Sequence, residues 1–144
     1  MNDYFYKGLE LYKDKKYEKA LECFKKQLSY KNRCSSSIYI FSLYNIGICY
    51  DDLKDYNNAL IYFKKAFNEI SKDINLIDMD KIYKVVCNII IELYALKSFN
   101  QALIYNNYLK ALTSKREKEL INPIDDYFKE MDNIEKIILK KIIK

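Results

Sequence analysis

The feature that most narrows what this chain can fold into is a block that occurs three times. Tyr17-Glu18-Lys19-Ala20-Leu21, Tyr56-Asn57-Asn58-Ala59-Leu60 and Phe99-Asn100-Gln101-Ala102-Leu103 all read aromatic-x-x-Ala-Leu. Twelve residues before each alanine lies a second shared block, built around Gly8, Gly47 and Ile90. Two blocks at a fixed offset, each apolar with helical spacing, describe a helical hairpin, and three copies describe a stack of them. One hairpin cannot bury its apolar face alone, so the copies must cover one another.

Composition agrees with helices joined by short links. The chain has 144 residues with only two Gly and one Pro, too few to punctuate many tight turns, against fifteen Tyr and seven Phe for a core. A chain of this length buries roughly 68–70% of its unfolded surface, so it needs neither disulfide nor metal. Cys23, Cys34, Cys49 and Cys87 form no CxxC pair and there is no histidine, which points to reduced thiols and no metal or other cofactor. The same absence of histidine, with no Gly-rich phosphate loop, leaves nothing to build an active site on, and a non-enzymatic protein is expected. Asp51-Asp52 and Asp125-Asp126 lie at helix ends and read as solvated or dipole-satisfying carboxylates.

The net charge of +5 comes from lysines dispersed among nearly as many carboxylates, so nucleic acid is not an expected partner. Met1-Asn2-Asp3-Tyr4 does not begin a secretory signal, and the longest apolar stretch, Val85 to Ile91, is broken by Asn88 and too short to cross a bilayer. A cytoplasmic protein with no membrane contact is the expectation.

Taken position by position, the copies resemble the tetratricopeptide repeat family. The first supplies Tyr4, Gly8, Leu11, Tyr17, Ala20 and Phe24, and the second Leu43, Ile46, Gly47, Tyr50, Tyr56, Ala59, Phe63 and Ala66. The third supplies Val86, Ile89, Leu93, Phe99 and Ala102, with Ile90 in the glycine slot and Asn106 in the phenylalanine slot. The resemblance implies an all-α protein: a right-handed α-solenoid of three hairpins plus a C-terminal helix. Small residues let paired helices approach, so Gly8 is expected to face Ala20 and Gly47 to face Ala59, while Ile90 opposite Ala102 predicts a wider third hairpin.

The alanines at 20, 59 and 102 are spaced more widely than the ordinary repeat of about 34 residues. The extra residues fall at 29–38 and 71–81, where Ser35-Ser36-Ser37 offers a helix N-cap. Lengthened repeats of this kind resemble those of kinesin light chain and of Gram-positive peptide-pheromone receptor regulators. The reading predicts helices over 3–13, 17–30, 37–53, 56–71, 79–97, 99–113 and 123–143. These make a single domain over 1–144, with repeats at about 1–34, 37–73 and 79–113. The last helix would start at Asn122 and Pro123, and its apolar stripe runs Ile124, Tyr127, Phe128, Met131, Ile134, Ile138 and Ile142.

In such a stack the first helix of each pair lines a concave face able to take a peptide. That face is expected to carry Phe5, Tyr6, Leu9 and Tyr12, then Phe41, Tyr44, Asn45, Ile48 and Asp52, then Lys84, Cys87, Asn88, Ile91 and Tyr94. Asn45 and Asn88 share one repeat position, and a carboxamide can donate to and accept from a peptide backbone at once. In the lengthened-repeat proteins asparagines at this position clamp the ligand's main chain, and the resemblance implies that role here; the competing reading is that each amide bonds within the protein. A carboxylate clamp for chaperone tails does not fit, because Phe5, Leu9, Cys87 and Ile91 stand where its polar residues belong. The expected function is therefore to bind a protein or peptide, as a regulator or scaffold. The alternative is a structural subunit that self-associates, with the C-terminal helix pairing two copies.

Overall fold

The computed structural model describes residues 2–73 and 78–115, and the described residues contain six α-helices and no strand. In chain order they are α1 (Asp3–Lys13), α2 (Tyr17–Leu28), α3 (Ser36–Asp52), α4 (Tyr56–Lys72), α5 (Met79–Ala95) and α6 (Phe99–Lys115). A single 3-10 turn, Lys31–Arg33, occupies part of the extra length between the first two hairpins. The helix expected at 123–143, and with it the proposed dimer contact, lies outside the described residues.

Two compact units emerge, Met1–Asp78 and a second beginning at Met79. In the first, α1 packs on α2, α2 also packs on α3, α3 packs on α4, and α1 touches α3. The second helix of one hairpin is thus wedged against the first helix of the next, which is how helical repeats share a core. In the second unit α5 packs on α6.

The sequence explains each element. Helices α2 and α4 bury one stripe, Ala20, Phe24 and Gln27 in one and Ala59, Phe63, Ala66 and Ile70 in the other, and leave lysines on the opposite side. Helix α3 is apolar nearly all round, as suits a helix with neighbours on several sides. Its start is fixed by Ser35, whose hydroxyl accepts the Ile38 N–H at 3.2 Å. Asp55 does the same for α4, accepting from the Asn58 N–H at 3.3 Å and its side-chain amide at 2.7 Å.

Each hairpin turns in the same way. Lys15, Lys54 and Lys97 all adopt positive φ, near 60°. Their N–H groups donate to Tyr12, Asp51 and Tyr94, and the next residue's N–H reaches back to Leu11, Tyr50 and Leu93. This closes the first helix with two carbonyls satisfied, in a geometry that usually takes glycine. Lysine accepts the left-handed strain three times in a row, each time exposed.

Close approach within the hairpins differs from expectation in one respect. A Cβ built on Gly8 would lie 2.7–2.9 Å from the Phe24 ring, and one on Gly47 would lie 2.6–3.0 Å from Phe63. The glycines therefore make room for a phenyl ring sixteen positions downstream. In the third hairpin that same pair is Ile90 and Asn106, both buried. The bulky and the smaller residue have changed places in the sequence of this hairpin.

A buried polar contact completes the first hairpin. Asn2 provides no side-chain cap for α1, and Gln27, fully buried on α2, accepts the Phe5 N–H at 3.1 Å. Replacing Gln27 by Leu should strand that donor and cost about 1–3 kcal/mol, read from urea unfolding followed by circular dichroism. Gly47→Ala should gain about 1 kcal/mol of helix propensity yet lose more by displacing Phe63, for a net loss of about 1–2 kcal/mol that Phe63→Leu partly restores.

Candidate functional site

The face to test is the one formed by the first helices of the hairpins, and within the first unit these are α1 and α3. Their side chains divide between core and surface at a single residue step. Phe5 is only 7% exposed and packs edge-on against Phe24 at a centroid distance of 6.0 Å, so it belongs to the core and does not line an open face. Tyr6, one residue on, is 55% exposed. The expectation grouped them because they are sequence neighbours, but a step of one residue turns a helix by about 100°.

The remaining residues of this face are half-buried. Leu9 and Phe41 pack against the core formed by Phe5, Ala20, Phe24, Ile46 and Cys49 while keeping part of their surface in solvent. Tyr44 lies beside Phe63, centroids 5.5 Å apart, and Ile48 is one turn further along α3. Phe41, Tyr44, Asn45, Ile48 and Asp52 thus share one stripe of α3, at spacings of three and four. The opposite stripe, Ile40, Leu43, Ile46, Gly47 and Cys49, is buried.

Among the described residues the Asn45 carboxamide makes no hydrogen bond, although the side chain is half-buried among apolar neighbours. Its repeat counterpart behaves differently. The Asn88 amide donates to the Lys84 carbonyl at 2.8 Å, one turn back along its own helix. In the second unit Lys84, Asn88, Ile91 and Tyr94 follow one stripe of α5. Lys84 is exposed, Ile91 is 39% exposed, and Tyr94 packs edge-on against Phe99 at 5.5 Å. Cys87, expected on this stripe, is buried.

Asp52 and Tyr12 close one end of the α1/α3 face. The Tyr12 hydroxyl donates to an Asp52 carboxylate oxygen at 2.5 Å, joining the first repeat to the second. Both residues are on the expected list, but their pairing was not foreseen. The signal was available, since their separation of 40 residues is close to the repeat period. Burial, and then the carboxylate that accepts its proton, pushes the Tyr12 phenol well above the usual tyrosine range, so it remains a donor at any neutral pH.

Burial, reinforced by the Asp52 charge, likewise pushes the Cys49 thiol up to about 12 from 9.0. That thiol is inert at neutral pH. Among the described residues no cluster of potential metal ligands occurs. The face offers apolar side chains beside hydrogen-bonding groups.

The sign of the Cys49 shift sets an alkaline dependence. The group is protonated in both states below pH 9 and keeps its full contribution there; above it the unfolded thiol ionises first, so stability falls as pH rises towards 12. Thermal unfolding across that interval should show the decline, with a shallower slope in Cys49→Ala. Iodoacetamide at neutral pH should label the half-buried Cys23 and Cys34 well before Cys49, as read by mass spectrometry.

With this geometry in place, comparison with known proteins gives matches of two kinds. The tetratricopeptide repeat model matches residues 42–72, which hold most of α3 and all of α4. Ten chains among solved structures match. One is the crystal structure of the apo form of RapI, with a TM-score of 0.67 and 28% identity over 79% of this chain. The present chain spans 40% of the length of that one. No curated protein matches.

Proposed function

We propose that this chain, which resembles tetratricopeptide-repeat proteins, is a protein-interaction module and that the α1/α3 face of its first unit is a docking groove for an extended peptide. Asn45 carries the reading. Its half-buried carboxamide makes no bond among the described residues, and a peptide backbone offers it one acceptor and one donor at once.

Around it, Tyr6, Leu9, Phe41, Tyr44 and Ile48 offer apolar surface to the ligand's side chains. Tyr and Phe suit the task because they present large area with few rotors to freeze. The Tyr12–Asp52 pair marks the polar end of the groove. Asn88, with Lys84, Ile91 and Tyr94, forms the matching stripe of the second unit; its amide would exchange its bond to the Lys84 carbonyl for one to a ligand. Phe5 is left out, since it supports the groove from beneath. The role is regulatory or scaffolding and requires no cofactor.

The test is to select short peptides from a displayed random library against the intact protein and measure the best binder by calorimetry. Asn45→Ala should weaken it by about tenfold, the worth of one or two backbone hydrogen bonds. Ile48→Ser should weaken it as well, while Asn57→Ala, exposed on the far side of the hairpin, should not. Binding indifferent to both Asn45 and Ile48 would sink the assignment.

A further inference from the structure

On the opposite side of the first unit a second surface is built from lysine and tyrosine. The Tyr50 ring, from α3, stacks on Tyr62 of α4 with centroids 5.7 Å apart and planes inclined at 28°. Lys25 of α2 donates from Nζ to the Tyr50 hydroxyl at 2.6 Å and lies 5.2 Å from that ring's centre. Lys65 of α4 lies 4.7 Å from the centre of Tyr62. Three helices thus contribute one continuous row, lysine, tyrosine, tyrosine, lysine. Beside it Ile61 is 47% exposed, one turn before Lys65 on the same helix.

The charge of this row is not cancelled from within. Glu69 takes Lys72 at 2.8 Å and Lys31 at 4.0 Å, neither of which belongs to this row. Neither Lys25 nor Lys65 has a carboxylate in reach, and Glu18 and Glu22 on α2 do not pair with Lys25. The bond to Tyr50 favours the charged form of Lys25. A neutral ring holds an ammonium in place without neutralising it, so both cations are pre-oriented and remain available to an anion.

We propose that Lys25, Tyr50, Tyr62, Lys65 and Ile61 form a second docking surface, for an acidic segment of a partner protein that carries an aliphatic residue between its carboxylates. Charge complementarity selects the acidic groups, and Ile61 with the tyrosine edges takes the aliphatic one. A nucleic acid fits less well. Stacking of bases needs free ring faces, whereas these rings are engaged by each other and by the lysines, and two cations make no extended phosphate track. The surface is separate from the peptide groove and does not depend on it.

Fluorescence anisotropy with a labelled Glu-Leu-Glu-containing peptide and the intact protein tests this. Expected are binding that weakens as ionic strength rises, a loss of about tenfold when the glutamates are replaced by glutamine, and a similar loss in the Lys25→Gln, Lys65→Gln double variant. Both lysines are exposed, and unchanged circular dichroism of the variant verifies its fold. Ile61→Ser should weaken binding and Asn45→Ala should leave it intact. The proposal is overturned if the peptide fails to bind, if the double variant binds it as well as the parent, if Asn45→Ala abolishes binding, or if oligouridylate binds more tightly than the peptide.

Discussion

The contact between a glycine on one helix and a phenyl ring on its hairpin partner governs the rest of this structure. With Gly8 under Phe24 and Gly47 under Phe63, the ring fills the space a side chain would occupy and sets how the two helices meet. That seats the core stripes of α2 and α4, and places α2 where it can serve both α1 and α3. At the equivalent positions of the third hairpin stand Ile90 and Asn106, both buried. Its amide brings a polar group into a buried site, which close packing tolerates only when hydrogen bonds are made. The repeat match falls on the second hairpin, the copy with the fullest set of pattern residues.

Much of the fold was legible because it depends on periodicity. The three Ala-Leu blocks placed the second helices, the glycine-slot blocks placed the first, and all six described helices begin within a residue of where spacing put them. Ser35 was legible as a cap because its chemistry is local. Harder to foresee were contacts that depend on depth. Which of Phe5 and Tyr6 lies inside depends on the angle of α1 against α2, and neighbouring aromatics look alike in a sequence. Gln27 was passed over because a polar residue on a helix usually faces water; its burial follows from an uncapped helix start on the neighbouring helix. The lysine turns escaped because residue type points to glycine there, while only the thrice-repeated position marks them.

The candidate site was legible as a stripe, and its internal state was not. Spacing put Phe41, Tyr44, Asn45, Ile48 and Asp52 on one side of α3, as observed. What spacing cannot supply is which of those polar groups the protein satisfies by itself. Asp52 is taken by Tyr12, Asn88 by the carbonyl of its own helix, and Asn45 by nothing among the described residues. Two asparagines in equivalent positions therefore differ in the one property that bears on binding.

That difference can be weighed energetically. A carboxamide in open water is hydrated, and one in a core is paired; either way its bonding is complete. Asn45 lies between these cases, half-buried on α3 and unbonded among the described residues. A ligand that supplies one acceptor and one donor replaces its hydration without leaving a polar atom unmet. The opposite edge of the same helix completes the contrast: Tyr50 is bonded, stacked and covered, and the charge it leaves exposed belongs to lysines. Helix α3 thus presents hydrogen-bonding capacity on one side and, on the other, the Tyr50 ring that orients a lysine carried by α2, with the buried stripe between them.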